Sequence, residues 1–177
     1  FYEGIEEPGH LVILAYDDFV DAVQPLADWK LQKGIPTEVF SMSEVGATTS
    51  DIQSFLQSKY DTEQLTYVIL VGDDAQIPTL YGSTGAGSDP SYVMLDGNDY
   101  YPDAFISRIS ANSASEVSDQ VAKFLAYEIE PPAGEWFSKG TGVASNQGSP
   151  TDAERAERAA GSPESKKSKK NKNSKIA

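Results

Sequence analysis

Two short, almost uninterrupted apolar runs constrain this chain more than any other feature: LVILAY at 11–16 and TYVILV at 66–71. Continuous apolar runs of this length are the pattern of strands buried on both faces, as in parallel sheets. Between them lies a third strand candidate, TEVFSM at 37–42, and the intervening segments change to helical spacing. Residues 18–34 carry Phe19, Val23, Leu26, Ala27 and Leu31 on one face, with Gly34 as a stop signal. Pro25 inside that segment predicts a kink or a late helix start. Residues 50–60 place Ile52, Phe55 and Leu56 together, with Thr49 or Ser50 as the cap. Such a βαβαβ order implies right-handed crossovers and a three-layer α/β fold, a mostly parallel sheet with helices on both faces.

The pattern then loosens. Residues 76–90 are rich in Gly, Ser and Pro and read as an exposed loop. Tyr92–Leu95, the Asp96-Gly97 turn signal and AFISRI at 104–109 predict a small β-hairpin or extra strands. A third helix is expected over 113–128, with Val117, Val121, Phe124 and Leu125 inward and Ser113 or Ser115 as cap. Beyond Pro131-Pro132, TGVAS at 141–145 is a further strand candidate.

Charge separates two regions. Residues 1–150 hold six basic and 23 acidic residues, a net charge of −17, whereas residues 151–177 hold eight basic and four acidic ones, a net +4. In the latter, Lys166, Lys167, Lys169, Lys170, Lys172 and Lys175 fall among Ser and Asn. A segment so poor in apolar surface does not offset its ordering entropy, so a disordered C-terminal tail is expected, a basic tail for anionic partners being the sharper alternative. The domain reading is therefore an α/β body over 1–150 and a tail over 151–177. The acidic body argues against nucleic-acid binding by residues 1–150, because phosphate contacts need clustered Lys and Arg.

The chain has no cysteine and a single histidine, His10. Disulfides, thiolate metal sites, a cysteine nucleophile and multi-histidine zinc clusters are thereby excluded within these residues. His10 alone gives no support for a catalytic triad and reads as a surface residue before the first strand. No run of about 18 apolar residues is present, so no membrane span is expected. The absence of a basic-then-apolar leader predicts that a signal peptide is absent or removed.

In open parallel sheets, ligands sit beyond the carboxyl ends of the strands. Asp17-Asp18 follows the first strand and Asp73-Asp74 the third, and DGNDYYPD at 96–103 adds an oxygen-rich stretch. Asp99, Tyr101 and Asp103 are spaced i, i+2, i+4, which lets two carboxylates and a backbone carbonyl turn toward one point, with Asp73 able to complete the set. Calcium takes about six to eight oxygen ligands of this mixed kind. The competing reading is a polar turn in which Asp96 makes its own backbone hydrogen bonds and Asp73 caps a loop. Arg108 inside AFISRI is expected to pair with a buried carboxylate.

Taken together, DWKLQKGIPTEVF (28–40), LTYVILVGDDAQIPT (65–79), SDPSYVMLDGNDYYPDAFISRIS (88–110) and the helix ending in AYE (126–128) resemble the gingipain family of cysteine peptidases, in order and at matching spacing from Leu11 to Gly148. That family pairs two α/β subdomains, and the resemblance covers the first, non-catalytic one. It implies no catalytic residue here: the family's His and Cys belong to the second subdomain, at Gly-His-Gly and Ala-Cys strand ends, so this chain alone is expected to be inactive. The resemblance also implies a structural calcium ion held by Asp73, the carbonyls of Asp96 and Tyr101, and the carboxylates of Asp99 and Asp103, the last standing where Glu is typical. It further implies an extracellular or cell-surface location, the missing catalytic subdomain of the same polypeptide as partner, and protein substrates reached only through that half. The change to lysine-rich sequence after ASNQG (144–148) raises a truncation or frameshift as its origin.

Two other readings compete. A stand-alone calcium-binding or interaction module would use the acidic face or basic tail. A receiver-like phosphoacceptor domain would use Asp17, Asp18 and Asp74, with Ser110 as its hydroxyl, yet it lacks a Lys after TGVAS.

Overall fold

The computed structural model describes residues 9–82, 85–134, 138–139, 150–152 and 154–155. Four parallel strands, β1 (His10–Ala15), β2 (Thr37–Ser41), β3 (Leu65–Val71) and β4 (Phe105–Ile109), form one sheet in the order β2-β1-β3-β4. Ile13 sits opposite Val39 on one side and Ile69 on the other, and Val68 opposite Ile106. Helices α1 (Val20–Gln32), α2 (Met42–Val45), α3 (Thr49–Glu63) and α4 (Ala114–Ile129) occupy the two faces, as expected for a three-layer arrangement.

Side chains alternate across a strand, and β1 shows why its run is apolar throughout. Leu11, Ile13 and Ala15 pack with Phe19, Val23, Leu26 and Ala27 of the α1 side and Val117 and Val121 of α4. Val12 and Leu14 face the opposite way, against Met42, Ile52, Leu56, Tyr92 and Val93. Removing each fully buried Leu or Val from water contributes about 1.5–3 kcal/mol. Pro25 lies within α1, but on its exposed side, where a freed carbonyl meets water.

Helix ends follow local chemistry. Thr48, one residue before the expected cap, opens α3: its Oγ1 accepts from the Asp51 N–H at 3.2 Å, and Asp51 Oδ2 accepts from the Thr48 N–H at 3.0 Å. Ser113 opens α4, accepting from the Glu116 N–H at 3.3 Å. The four-residue α2 carries too little periodicity to be read from sequence, although Ser41 and Glu44 form its N-terminal pair at 2.8 Å.

Of the small β-hairpin or extra strands expected over 92–109, the strand at AFISRI is present as the parallel edge strand β4, but a 3₁₀ turn at Asp89–Val93 stands where the other was expected. Tyr92 and Val93 are consecutive and both fully buried. A strand cannot send neighbouring side chains to one face, whereas a helical turn can. A single antiparallel bridge does occur earlier, between Tyr81 and Gly87.

The chain divides into two compact units, Phe1–Pro131 and Pro132–Ala177. In the second, the Thr151 N–H donates to Glu154 Oε2 at 3.0 Å and the Glu154 N–H to Thr151 Oγ1 at 3.2 Å, which starts a helical turn. The strand candidate TGVAS and the lysine-rich tail lie outside the described residues.

Candidate site at the carboxyl edge of the sheet

β3 delivers its acidic pair through a glycine turn. Gly72 has φ +143°, and a Cβ placed there would stand 2.9 Å from Gln76 Cβ, so this position needs glycine. The Gly72 N–H donates to the Ile109 carbonyl at 3.0 Å and the Asp73 N–H to the Ala111 carbonyl at 3.1 Å, fastening the turn to the end of β4. Asp73 Oδ1 then accepts from the Asp74 N–H and from Ser110 Oγ, both at 3.0 Å. The Asp74 N–H, followed by Ser110, holds the Asp73 carboxyl below the usual carboxylate range.

Behind this turn Arg108 organises the loop. Its Nε and Nη2 donate to the two oxygens of Asp89 at 2.8 and 2.7 Å, and its Nη1 donates to the carbonyls of Gly72 at 3.0 Å and Ile77 at 2.9 Å. Thr79 Oγ1 adds a third donor to Asp89 at 2.7 Å. Hydrogen bonds from Arg108 lower the Asp89 carboxyl against the opposing effect of burial. The buried Tyr92 phenol, pushed up to about 12 by desolvation, donates to the Pro78 carbonyl at 2.6 Å. The expected Arg108 pairing is thus present. The partner was not identifiable from sequence, since Asp89 lies 19 residues away in the segment read as a loop.

The other proposed calcium ligands fold into one exposed loop. Asp103 Oδ2 accepts from the Leu95 and Asp96 N–H groups at 2.7 and 2.9 Å, and the Asp103 N–H returns to the Val93 carbonyl at 2.7 Å. Asp99 Oδ1 accepts from the Tyr101 N–H at 2.8 Å. Asp103 is thus tied to Asp96 and Asp99 to Tyr101 within this loop, while Asp73 turns to Ser110. Among the described residues no three carboxylates of this set lie within 4.8 Å of one another; the one such group joins His10, Glu38 and Glu63 at the opposite edge. In this conformation backbone N–H groups serve the loop carboxylates.

Asp17, just past the end of β1, is engaged by α2. Its Oδ1 accepts from the Ser43 N–H at the start of α2 at 2.9 Å, and that hydrogen bond lowers its carboxyl. His10, expected at the surface, is part of β1 and 8% exposed.

A family description, peptidase family C25, matches residues 5–176. The chain belongs to peptidase family C25. It is 31% identical to gingipain R2 of Porphyromonas gingivalis over 151 residues, 82% of this chain and 20% of that protein. It is 33% identical to Lys-gingipain of the same species over 129 residues, 68% of this chain and 7% of that protein. In three dimensions it resembles the crystal structure of the Arg-specific cysteine proteinase gingipain R, with a TM-score of 0.64 and 32% identity over 71% of this chain and 30% of that one. A complex of gingipain pro- and mature domains matches equally, at a TM-score of 0.64 over 67% of this chain. This C25 chain spans about a fifth or less of the length of the curated relatives it matches. Its α/β fold is that of the gingipain match, and the family match runs from residue 5 to residue 176, past the 11–148 stretch that carries VGDD and GND-x-Y.

Proposed function

We propose that residues 1–150 are the non-catalytic α/β subdomain of a gingipain-like cysteine endopeptidase, exported to the cell surface or beyond, whose His and Cys are supplied by a second subdomain. The observation that carries this reading is the Gly72-Asp73 turn locked by Arg108 to β4, in a C25 chain with no cysteine. In such an enzyme the His assists a thiolate in attacking a peptide carbonyl. These residues contribute a rigid carboxyl edge beside that chemistry, and protein substrates are engaged through the other half.

The same reading assigns a structural calcium ion to Asp73, Asp99, Asp103 and the carbonyls of Asp96 and Tyr101. What supports it is the clustering of four of the five in one exposed, acidic loop; what it requires is that Asp73 leave Ser110 and approach that loop. A stand-alone binding module is the second reading, favoured by an apolar core on each face of the sheet, while Phe105 at 71% and Tyr67 at 38% exposure leave apolar surface at the β4 edge.

The test is to sequence the source DNA from codon 145 onward and read all three frames. A frame continuing into Gly-His-Gly and Ala-Cys strand ends, whose full-length product cleaves a peptide substrate and loses that cleavage on Cys→Ala, supports the peptidase reading. A stop after Ala177 with no such frame overturns it.

A further inference from the structure

The amino edge of the sheet, opposite the Asp73 turn, holds a second cluster. His10 opens β1, Glu38 stands near the start of β2, and Glu63 ends α3, one turn beyond Lys59. The imidazole of His10 is wedged between the two carboxylates, Nε2 3.1 Å from Glu38 Oε2 and Nδ1 3.3 Å from Glu63 Oε2. One ligand atom from each of the three residues lies within 4.8 Å of the others. His10 is 8% exposed, and its Nδ1 is fully buried without a properly aligned hydrogen bond, although it points at Glu63. A buried ring nitrogen whose 3.3 Å contact with Glu63 is misaligned for a hydrogen bond carries a desolvation cost that a bound cation would relieve.

We propose that His10, Glu38 and Glu63 form a zinc(II) site. Neutral imidazole with two carboxylates suits a borderline metal such as zinc, whereas calcium selects oxygen alone. Two ligands about 2.0–2.1 Å from a tetrahedral zinc stand about 3.3 Å apart, the present separation of Nδ1 and Glu63 Oε2; the Glu38 carboxylate, now beside Nε2, turns toward the same point. The Nδ1 lone pair supplies the nitrogen ligand and the half-exposed glutamates the oxygens, with water completing the shell. Bound there, the ion would tie β1, β2 and the end of α3 together.

Lys59 is the resident competitor. Its ammonium bonds Glu38 Oε2 at 2.7 Å and Glu63 Oε2 at 2.8 Å, and it rests 4.6 Å from the centre of the Phe40 ring. Zinc must displace it from both carboxylates, so wild-type affinity is tempered by a like charge nearby.

The chain's composition makes the test clean: with one histidine and no cysteine, a site with a nitrogen side-chain ligand has to include His10. The 177-residue chain is stripped with chelator, supplied with excess calcium to saturate oxygen-only sites, and titrated with zinc chloride by calorimetry, while NMR follows the His10 ring signals. The expected result is one zinc per chain with displaced His10 signals, binding weakened about tenfold or more by Glu63→Gln and His10→Asn, and tightened about tenfold by Lys59→Gln. Circular dichroism confirms that each variant is folded; Glu63→Gln, at an exposed helix end, decides the matter if His10→Asn unfolds. Zinc that leaves the His10 signals unmoved, or affinity unchanged by Glu63→Gln or not tightened by Lys59→Gln, overturns the proposal.

Discussion

Arg108 grips Asp89 by two parallel hydrogen bonds, Nε to Oδ2 at 2.8 Å and Nη2 to Oδ1 at 2.7 Å, and spends its remaining Nη1 on the carbonyls of Gly72 and Ile77. One side chain on the edge strand thus holds both ends of the turn that presents Asp73. Removing one partner of such a mostly buried pair leaves the other charge uncompensated. Arg108→Met is expected to cost about 3 kcal/mol or more in urea unfolding. The double variant with Asp89→Leu should recover part of that loss, since the stranded carboxylate is gone.

Glu128 gives a pH signature. Burial raises its carboxyl, but hydrogen bonds from Lys30 at 2.6 Å, Lys33 at 2.9 Å and the Trp29 indole at 2.9 Å outweigh that and hold it at about 2. A carboxyl lowered on folding stabilises the fold above its unfolded value, near 4.5, and loses that contribution as pH falls toward its folded value. Glu128→Gln should therefore destabilise the chain by roughly 1–3 kcal/mol at neutral pH, and the gap to wild type should close between about pH 4.5 and 2. Urea midpoints measured across that range check it. A gap that is constant with pH rules this linkage out.

Calcium should stabilise the chain through the loop at 96–103. Thermal unfolding in chelator against excess calcium is expected to show a rise in Tm, set by mass action, that disappears in Asp99→Asn and shrinks in Asp73→Asn. Because its ligands are carboxylates, the rise should also vanish on acidification. A calcium response identical in wild type and Asp99→Asn refutes this ligand set.

Gly72→Ala tests the turn itself. The +143° φ and the 2.9 Å approach to Gln76 Cβ predict a loss of about 1–3 kcal/mol, read from the urea midpoint, and a displaced Asp73. The calcium-dependent Tm rise should fall with it. Unchanged stability would mean that the turn relaxes without cost.

Much of the body is legible in the sequence. The buried strands β1 and β3 announce themselves because both faces of a central strand are covered, which removes polar residues from the run. Ile52 and Leu56 of α3, Val117 and Val121 of α4, and Ser113 as cap follow from local periodicity and side-chain hydrogen bonding, whereas Phe124, expected inward, stands 42% exposed. Phe105–Ile109 was harder: an edge strand alternates burial, and nothing local says whether Phe105 pairs antiparallel within a hairpin or parallel with Tyr67. The motif residues Asp73, Asp96, Asp99 and Asp103 were found by their order, but their mutual distances were not.

The parallel α/β body, the lack of a thiol in these 177 residues and the family signal of the VGDD and GND motifs can be read along the chain, because apolar periodicity, composition and motif spacing are local properties. That Arg108 reaches Asp89, that Asp73 turns to Ser110 and that His10 is buried between Glu38 and Glu63 is settled by packing in three dimensions. Those pairings join residues 19 to 53 positions apart, and chain separation of that size is closed by strand register and helix packing rather than by any neighbour in sequence.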